Sequence, residues 1–248
     1  MNDAKILASG AQYARLGLTI SNGVIDAVDG HFTVNEMQEI LKNETLIRNC
    51  TSKIVSELLA VPIDPWADQK KKIERFYKSI FNLTIDWSAV PLPTKVEGFD
   101  FLEYMAIKLT EDDIFNAYAK KFGKDAVWKY YDNIHKAIKE QQSRPNKNYI
   151  FCHRGGIEPD VEHLNKSYDD FYQDGNSYMV PKEGLLSAFR YRFETGNMWD
   201  IKGVTRFHAL DSDGRALYMS RDGFGRFCVG YGNRDYRNGA LGPRQISF

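Results

Sequence analysis

The chain has 248 residues, 43% hydrophobic and 27% charged, with a formal net charge of zero. That composition belongs to a folded protein with enough chain for one large or two small domains. The even charge argues against a general electrostatic role on nucleic acid or membranes, and the wide spacing of Cys50, Cys152 and Cys228 supports neither a zinc ribbon nor a disulfide framework.

The first residues lack a basic segment followed by an apolar run, so no signal peptide is expected. No stretch approaches the ~18 apolar residues of a spanning helix. A cytoplasmic protein without membrane insertion is the expectation. Residues 1–30 are interrupted by Gly10, Gly17, Gly23 and Gly30. Thr33 and Glu36 have capping-box spacing, with Val34, Met37, Ile40 and Leu41 on one helical face. A second periodic run, 47–59, stops before Pro62 and Pro65. A third helix is predicted over 68–81, with the Lys70–Lys72 run on its solvated face.

Residues 83–93 alternate as a strand does, and 101–107 predict another strand. Thr110 and Asp113 open a helix through about Phe122. Residues 126–131 read as strand or helix start, and 132–142 as helix. A strand at 149–152 is followed by a polar helix over 158–173, with apolar contacts at Val161, Leu164 and Phe171. Helix 181–195 has Pro181 in its first turn, Leu185, Leu186, Phe189 and Phe193 as its buried stripe, and Gly196 as its cap. The rhythm then becomes two-fold. Segments 204–210, 215–219 and 226–231 are separated by Asp213-Gly214 and Asp222-Gly223. Asn238-Gly239 and a last strand, 245–248, follow. Val204, Phe207, Leu217, Phe227, Val229 and Ile246 are the expected buried positions. The fold class is α+β: a mainly helical N-terminal part with short strands, 1–150, then an antiparallel β domain, 151–248.

Chemical motifs are few. Cys152-His153-Arg154-Gly155-Gly156-Ile157-Glu158 follows a short strand and resembles the His-Arg-Gly opening of glycerophosphodiester phosphodiesterases. That resemblance implies a phosphate-facing His153 and Arg154, with Glu158 near a metal. That family's barrel needs about 250 residues, and only 95 follow His153. Cys152 and His153, adjacent on a strand, point to opposite faces and cannot share a proton. Asp211-x-Asp213-Gly214 reads as a β-turn, because a calcium loop needs acids where Ala209 and Ser220 stand. His31, His135, His163 and His208 have no ligand spacing, so neither metal nor cofactor is expected.

The strongest signal is compositional. Residues 203–248 contain no lysine and no glutamate, yet hold seven arginines, four aspartates and eight glycines. Ordinary surfaces mix all four charged types. Tyr218, Arg221, Arg226, Tyr231, Asn233, Arg234, Asp235, Tyr236 and Asn238 stand out as recognition residues of the kind that dominate binding loops.

The stretch KEGLLSAFRYRFETGNMWDIKGVTRF, continuing as HALDSDGRALYMSRDGFGRFCVGYGNRDYRNGALGPRQISF, resembles the variable proteins of bacterial diversity-generating retroelements. In that class an adenine-error-prone reverse transcriptase rewrites the 3′ end of the target gene, and Lys and Glu are poor outcomes of AAY codons. The resemblance implies a C-type-lectin-like domain. There, a helix and a Trp precede a twisted antiparallel sheet, and the variable residues lie on one exposed face, here within 204–244. It implies a non-enzymatic protein that binds a macromolecule, a protein rather than nucleic acid, through the nine residues named above. The alternatives are a phosphodiester hydrolase using the His153-Arg154 segment and a structural or regulatory interaction protein.

Overall fold

In the computed structural model, which describes residues 64–248, helix α1 (Ala67–Phe81) turns Ile73, Phe76 and Tyr77 inward at helical spacing. Lys71 and Lys72 are exposed and Lys70 pairs with Asp64 at 2.6 Å, as a solvated face would have it. The predicted helices before residue 60, with Cys50 and His31, lie outside the described residues.

Residues 83–93 are not a strand. They hold one 3-10 turn, Trp87–Ala89, which Asp86 caps from Ser88 N–H. Strand β1 (Phe101–Met105) is followed by helix α2 (Glu111–Phe122), closed at its start by a reciprocal Thr110–Asp113 capping box. Strand β2 (Val127–Lys129) resolves the ambiguity of 126–131. The helix expected over 132–142 is corrected to a single turn, α3 (Ile134–Ala137), and a strand, β3 (Ile138–Gln141). Strand β4 (Tyr149–His153) follows. The polar helix expected over 158–173 is also corrected. It is a 3-10 turn, Val161–His163, and one helical turn, α4 (Tyr168–Phe171), with Val161 79% exposed instead of buried. Helix α5 (Pro181–Thr195) has Pro181 in its first turn and Gly196 in the left-handed conformation at its end. Strands β5 (Val204–Asp211), β6 (Ala216–Arg221), β7 (Phe227–Gly232), β8 (Leu241–Gly242) and β9 (Ile246–Ser247) complete the chain.

Two sheets result. The smaller is antiparallel, in the order β1-β4-β9. The larger runs β2-β7-β6-β5-β3, with β8 also on β5. The fold is α+β, but the larger sheet is mixed rather than antiparallel, because β2 lies parallel to β7 and β8 parallel to β5. Both parallel strands arrive by longer connections than a hairpin allows. Nor does the chain divide at 150. The compact unit is Asp64–Phe248, and β2 and β3 are built into the sheet formed by the last 45 residues.

The core lies between the helices and the inner face of the larger sheet. Phe207, Leu217, Met219, Phe227 and Val229 point inward, and Phe76, Tyr118 and Phe189 meet edge-on or tilted at 5.1 Å. Gly184 sets the closeness of α5 to β5, since a Cβ there would lie 2.3 Å from the Phe207 ring. Three buried arginines are paired with buried carboxylates: Arg190 with Glu103 at 2.9 Å, Arg144 with Glu183 at 2.6 Å and Arg244 with Asp200 at 2.7 Å. Burial works against ionisation of Glu103, but Arg190 and His153 outweigh it and hold the carboxyl below its usual range.

Candidate functional site

Strand alternation assigns the two faces of the larger sheet. With Phe207, Leu217 and Val229 inside, Arg206, Tyr218 and Gly230 form a cross-strand row on the outer face, and Val204, Ser220 and Cys228 form the next. One end of this face is covered by α4, where Tyr168, Phe171 and Tyr178 pack with Leu210 and Ala216. The other end is a hollow of about 370 Å³, bordered by both rows, by β8 at Leu241, and by the 233–240 loop at Tyr236 and Asn238. Val204, expected to be buried, is half-buried in its wall.

Glycine makes the hollow. A Cβ at Gly230 would come within 2.9 Å of the Tyr218 hydroxyl, and one at Gly232 would lie 3.7 Å from Nη2 of Arg206. The loop is held at its base by surface ion pairs, Arg234 to Asp169 at 2.7 Å and Arg237 to Asp170 at 2.6 Å. It tightens through a Tyr236 N–H bond to the Asn233 carbonyl at 3.2 Å and an Asn238 amide bond to the Tyr236 hydroxyl at 3.3 Å.

The nine sequence-predicted residues therefore separate. Tyr218, Tyr236 and Asn238 meet at the hollow, and Asn233, Arg234 and Asp235 are exposed on the loop beside it. Tyr231 borders the hollow, but its register opposite Leu217 puts it on the other side of the sheet. There its ring lies 4.5 Å from that of Tyr130, with the Arg215 guanidinium 3.5 Å from its centre. Arg221 and Arg226 lie at the far β6–β7 turn. Arg226 pairs with Asp222 at 2.7 Å beside Phe224, which is 87% exposed. The left-handed residue of that turn is Gly225, not Gly223.

Sequence reasoning missed Arg206. It lies inside a strand chosen for its apolar residues, and only its position next to Phe207 signals an outward face. Arg206 is fully buried. Its Nη1 donates to the Arg234 carbonyl at 3.1 Å, while Nε and Nη2 have no hydrogen-bond partner among the described residues. Burial lowers its pKa, against the pull of Asp169, Asp235 and Tyr236.

The His153 segment is committed elsewhere. His153 is buried, its Nδ1 accepts the Gly155 N–H at 3.0 Å, and its Nε2 faces Glu103 at 3.5 Å. That geometry sets the neutral Nε2–H tautomer, and burial lowers the imidazole pKa. Arg154 turns to Glu162 at 2.8 Å, and Glu158 accepts the Gly203 N–H at 2.6 Å. The three side chains do not converge on one point. Among the described residues no group of three or more His, Cys, Asp or Glu is placed to hold a metal ion. Asp211 shapes its turn by accepting the N–H groups of Asp213 and Arg215, both at 2.9 Å. Among the described residues no helix is long and apolar enough to cross a membrane.

No protein-family model matches the chain, and neither does any curated protein or solved structure.

Proposed function

We propose that this is a non-enzymatic ligand-binding protein that presents the outer face of its C-terminal sheet to a macromolecule, and that the face belongs to a C-type-lectin-like, retroelement-diversified domain. The observation that carries the reading is the convergence of Tyr218, Tyr236 and Asn238 on one hollow, beside an exposed loop of Asn233, Arg234 and Asp235. Tyr offers large contact area with few torsions to freeze, and Asn and Arg offer directional hydrogen bonds. A rigid sheet holds them. Helix α5 and Trp199 precede β5, β6 and β7 of that sheet, in the order the resemblance calls for. The ligand is proposed to be a protein.

Site-specific photo-cross-linking tests the surface. A benzophenone side chain at position 218 or 236 is expected to give a discrete adduct in the native host extract, and one at Lys78 of α1 none. Equal labelling from all three, or none from the face, removes the assignment. The diversification reading has its own test in the DNA flanking the coding sequence. A near-copy of the last codons, with mismatches at adenines and a reverse transcriptase beside it, is expected. Silent divergence spread over all four bases in such a copy would contradict it.

A further inference from the structure

Among the described residues, four arginines have buried or nearly buried guanidinium groups, and three of them are saturated. Arg190 meets Glu103, Glu194 and the Leu102 carbonyl. Arg244 meets Asp200, Thr205 and the carbonyls of Gly156 and Ile157. Arg144 meets Glu183 and the Tyr178 carbonyl. Arg206 has one neutral carbonyl. A buried cation with no hydrogen-bonded anion is costly, and Asp169 and Asp235 act on Arg206 without hydrogen-bonding to it.

Rested on the reading of the outer face as a binding surface, we propose that Arg206 is its anchor and that the anchored group is a carboxylate. The two partnerless donors, Nε–H and Nη2–H, lie along one edge of the guanidinium, which is the edge that takes a carboxylate with two parallel hydrogen bonds. The space beside Nη2 is kept by Gly232, and Tyr218 stands across the strand from Arg206. Charge selects a monoanion. Asp169 and Asp235 already act on Arg206, and a phosphate dianion would face both. Tyr236, half-exposed on the loop, is the side chain that moves aside to admit the ligand. An acidic group on a protein partner and a small organic acid share this chemistry.

The test is NMR of the Arg Nε–H groups in the intact protein, with Arg206 assigned by R206K. Benzoate is the probe, benzamide its neutral counterpart and inorganic phosphate the dianion. Benzoate is expected to shift the Arg206 signal saturably, and benzamide not at all. Phosphate is expected to bind more weakly than benzoate, because its second charge faces Asp169 and Asp235. G232V keeps Arg206 but fills the space beside Nη2, and is expected to abolish the response while the other arginine signals stay in place. No shift with benzoate, an equal shift with benzamide, or an unchanged response in G232V overturns the proposal. Benzoate that also prevents the cross-link from position 236 assigns the carboxylate to the macromolecular partner, and benzoate that binds without doing so assigns it to a free acid. A cross-link that forms while benzoate leaves Arg206 unmoved sinks the anchor alone. Loss of the cross-link itself sinks the surface.

Discussion

Replacing Arg244 with Met should be among the most damaging single changes in the described unit. The guanidinium donates to Asp200 at 2.7 Å, the Thr205 hydroxyl at 2.8 Å, and the carbonyls of Gly156 and Ile157 at 2.7 and 2.9 Å. It also lies 4.0 Å from the centre of the Trp199 ring. Both ion-pair partners are only 2% exposed. Methionine fills much of the volume but strands Asp200, whose remaining partners come from Thr205. Breaking a buried pair from one side costs about 3–5 kcal/mol, and each orphaned carbonyl raises the cost by about 1 kcal/mol or more. We expect a loss of about 5–7 kcal/mol at pH 7. Burial already raises the Asp200 pKa, with Arg244 opposing it. Without Arg244 the folded-state pKa rises further above the unfolded value, so the folded form takes up a proton that the unfolded form does not. The deficit should therefore shrink as pH falls from 7 toward 5. A second change, Asp200→Asn, removes the stranded charge and suits the left-handed backbone at that position, φ 52°. The double variant should recover about 2 kcal/mol relative to Arg244→Met alone. Urea denaturation followed by Trp fluorescence and far-UV circular dichroism measures all three. A loss under about 1 kcal/mol, or a double variant whose effects simply add, would refute the reasoning.

His208 is buried among Tyr168, Phe171, Tyr172 and Tyr178, and burial lowers its pKa to about 4. Between the unfolded value near 6.5 and about 4, only the unfolded chain binds the proton, so the protein should lose about 2 kcal/mol from pH 7 to 5. His208→Phe should flatten that limb, and an unchanged slope in a pH series of denaturation curves would rule it out. Gly184→Ala should cost about 1–3 kcal/mol through overpacking against Phe207, despite the better helix propensity of Ala; a raised melting temperature would contradict this. Burial pushes the thiols of Cys152 and Cys228 up to about 12 and about 11. Peptide mass analysis should find both unalkylated by iodoacetamide in the native protein and modified in urea. Gly230→Ala should displace Tyr218 and weaken benzoate binding while leaving the melting temperature within a few degrees, because the atom it meets is the far end of a side chain.

Several elements could be read locally because their determinants lie within a few residues. Helix α2 follows from Thr110 and Asp113, and α5 from Pro181, its Leu and Phe stripe, and Gly196. The rhythm of β5, β6 and β7 follows from alternation and the turn at Gly214. The stretch without Lys and Glu contains the lining of the hollow, with Tyr218, Tyr236 and Asn238 among the residues named from it. What escaped depends on partners far away in sequence. Ile138–Gln141 looks helical by itself, but pairing with Ala209–Asp211 along the open edge of β5 outweighs a weak local preference. Residues 158–173 form no long helix, because Asp160 holds Gln245 at 2.7 Å and Glu158 holds Gly203. Tyr231 and Arg206 carry the same lesson at the site. Residue type marks Tyr231 as a recognition side chain and passes over Arg206, but register opposite Leu217 turns Tyr231 away from the hollow, and register opposite Tyr218 buries Arg206 beneath it. Local sequence determined which segments become helix or strand where caps and turns are strong. Strand order and register, set by burying one face of each sheet, decided which side chains meet.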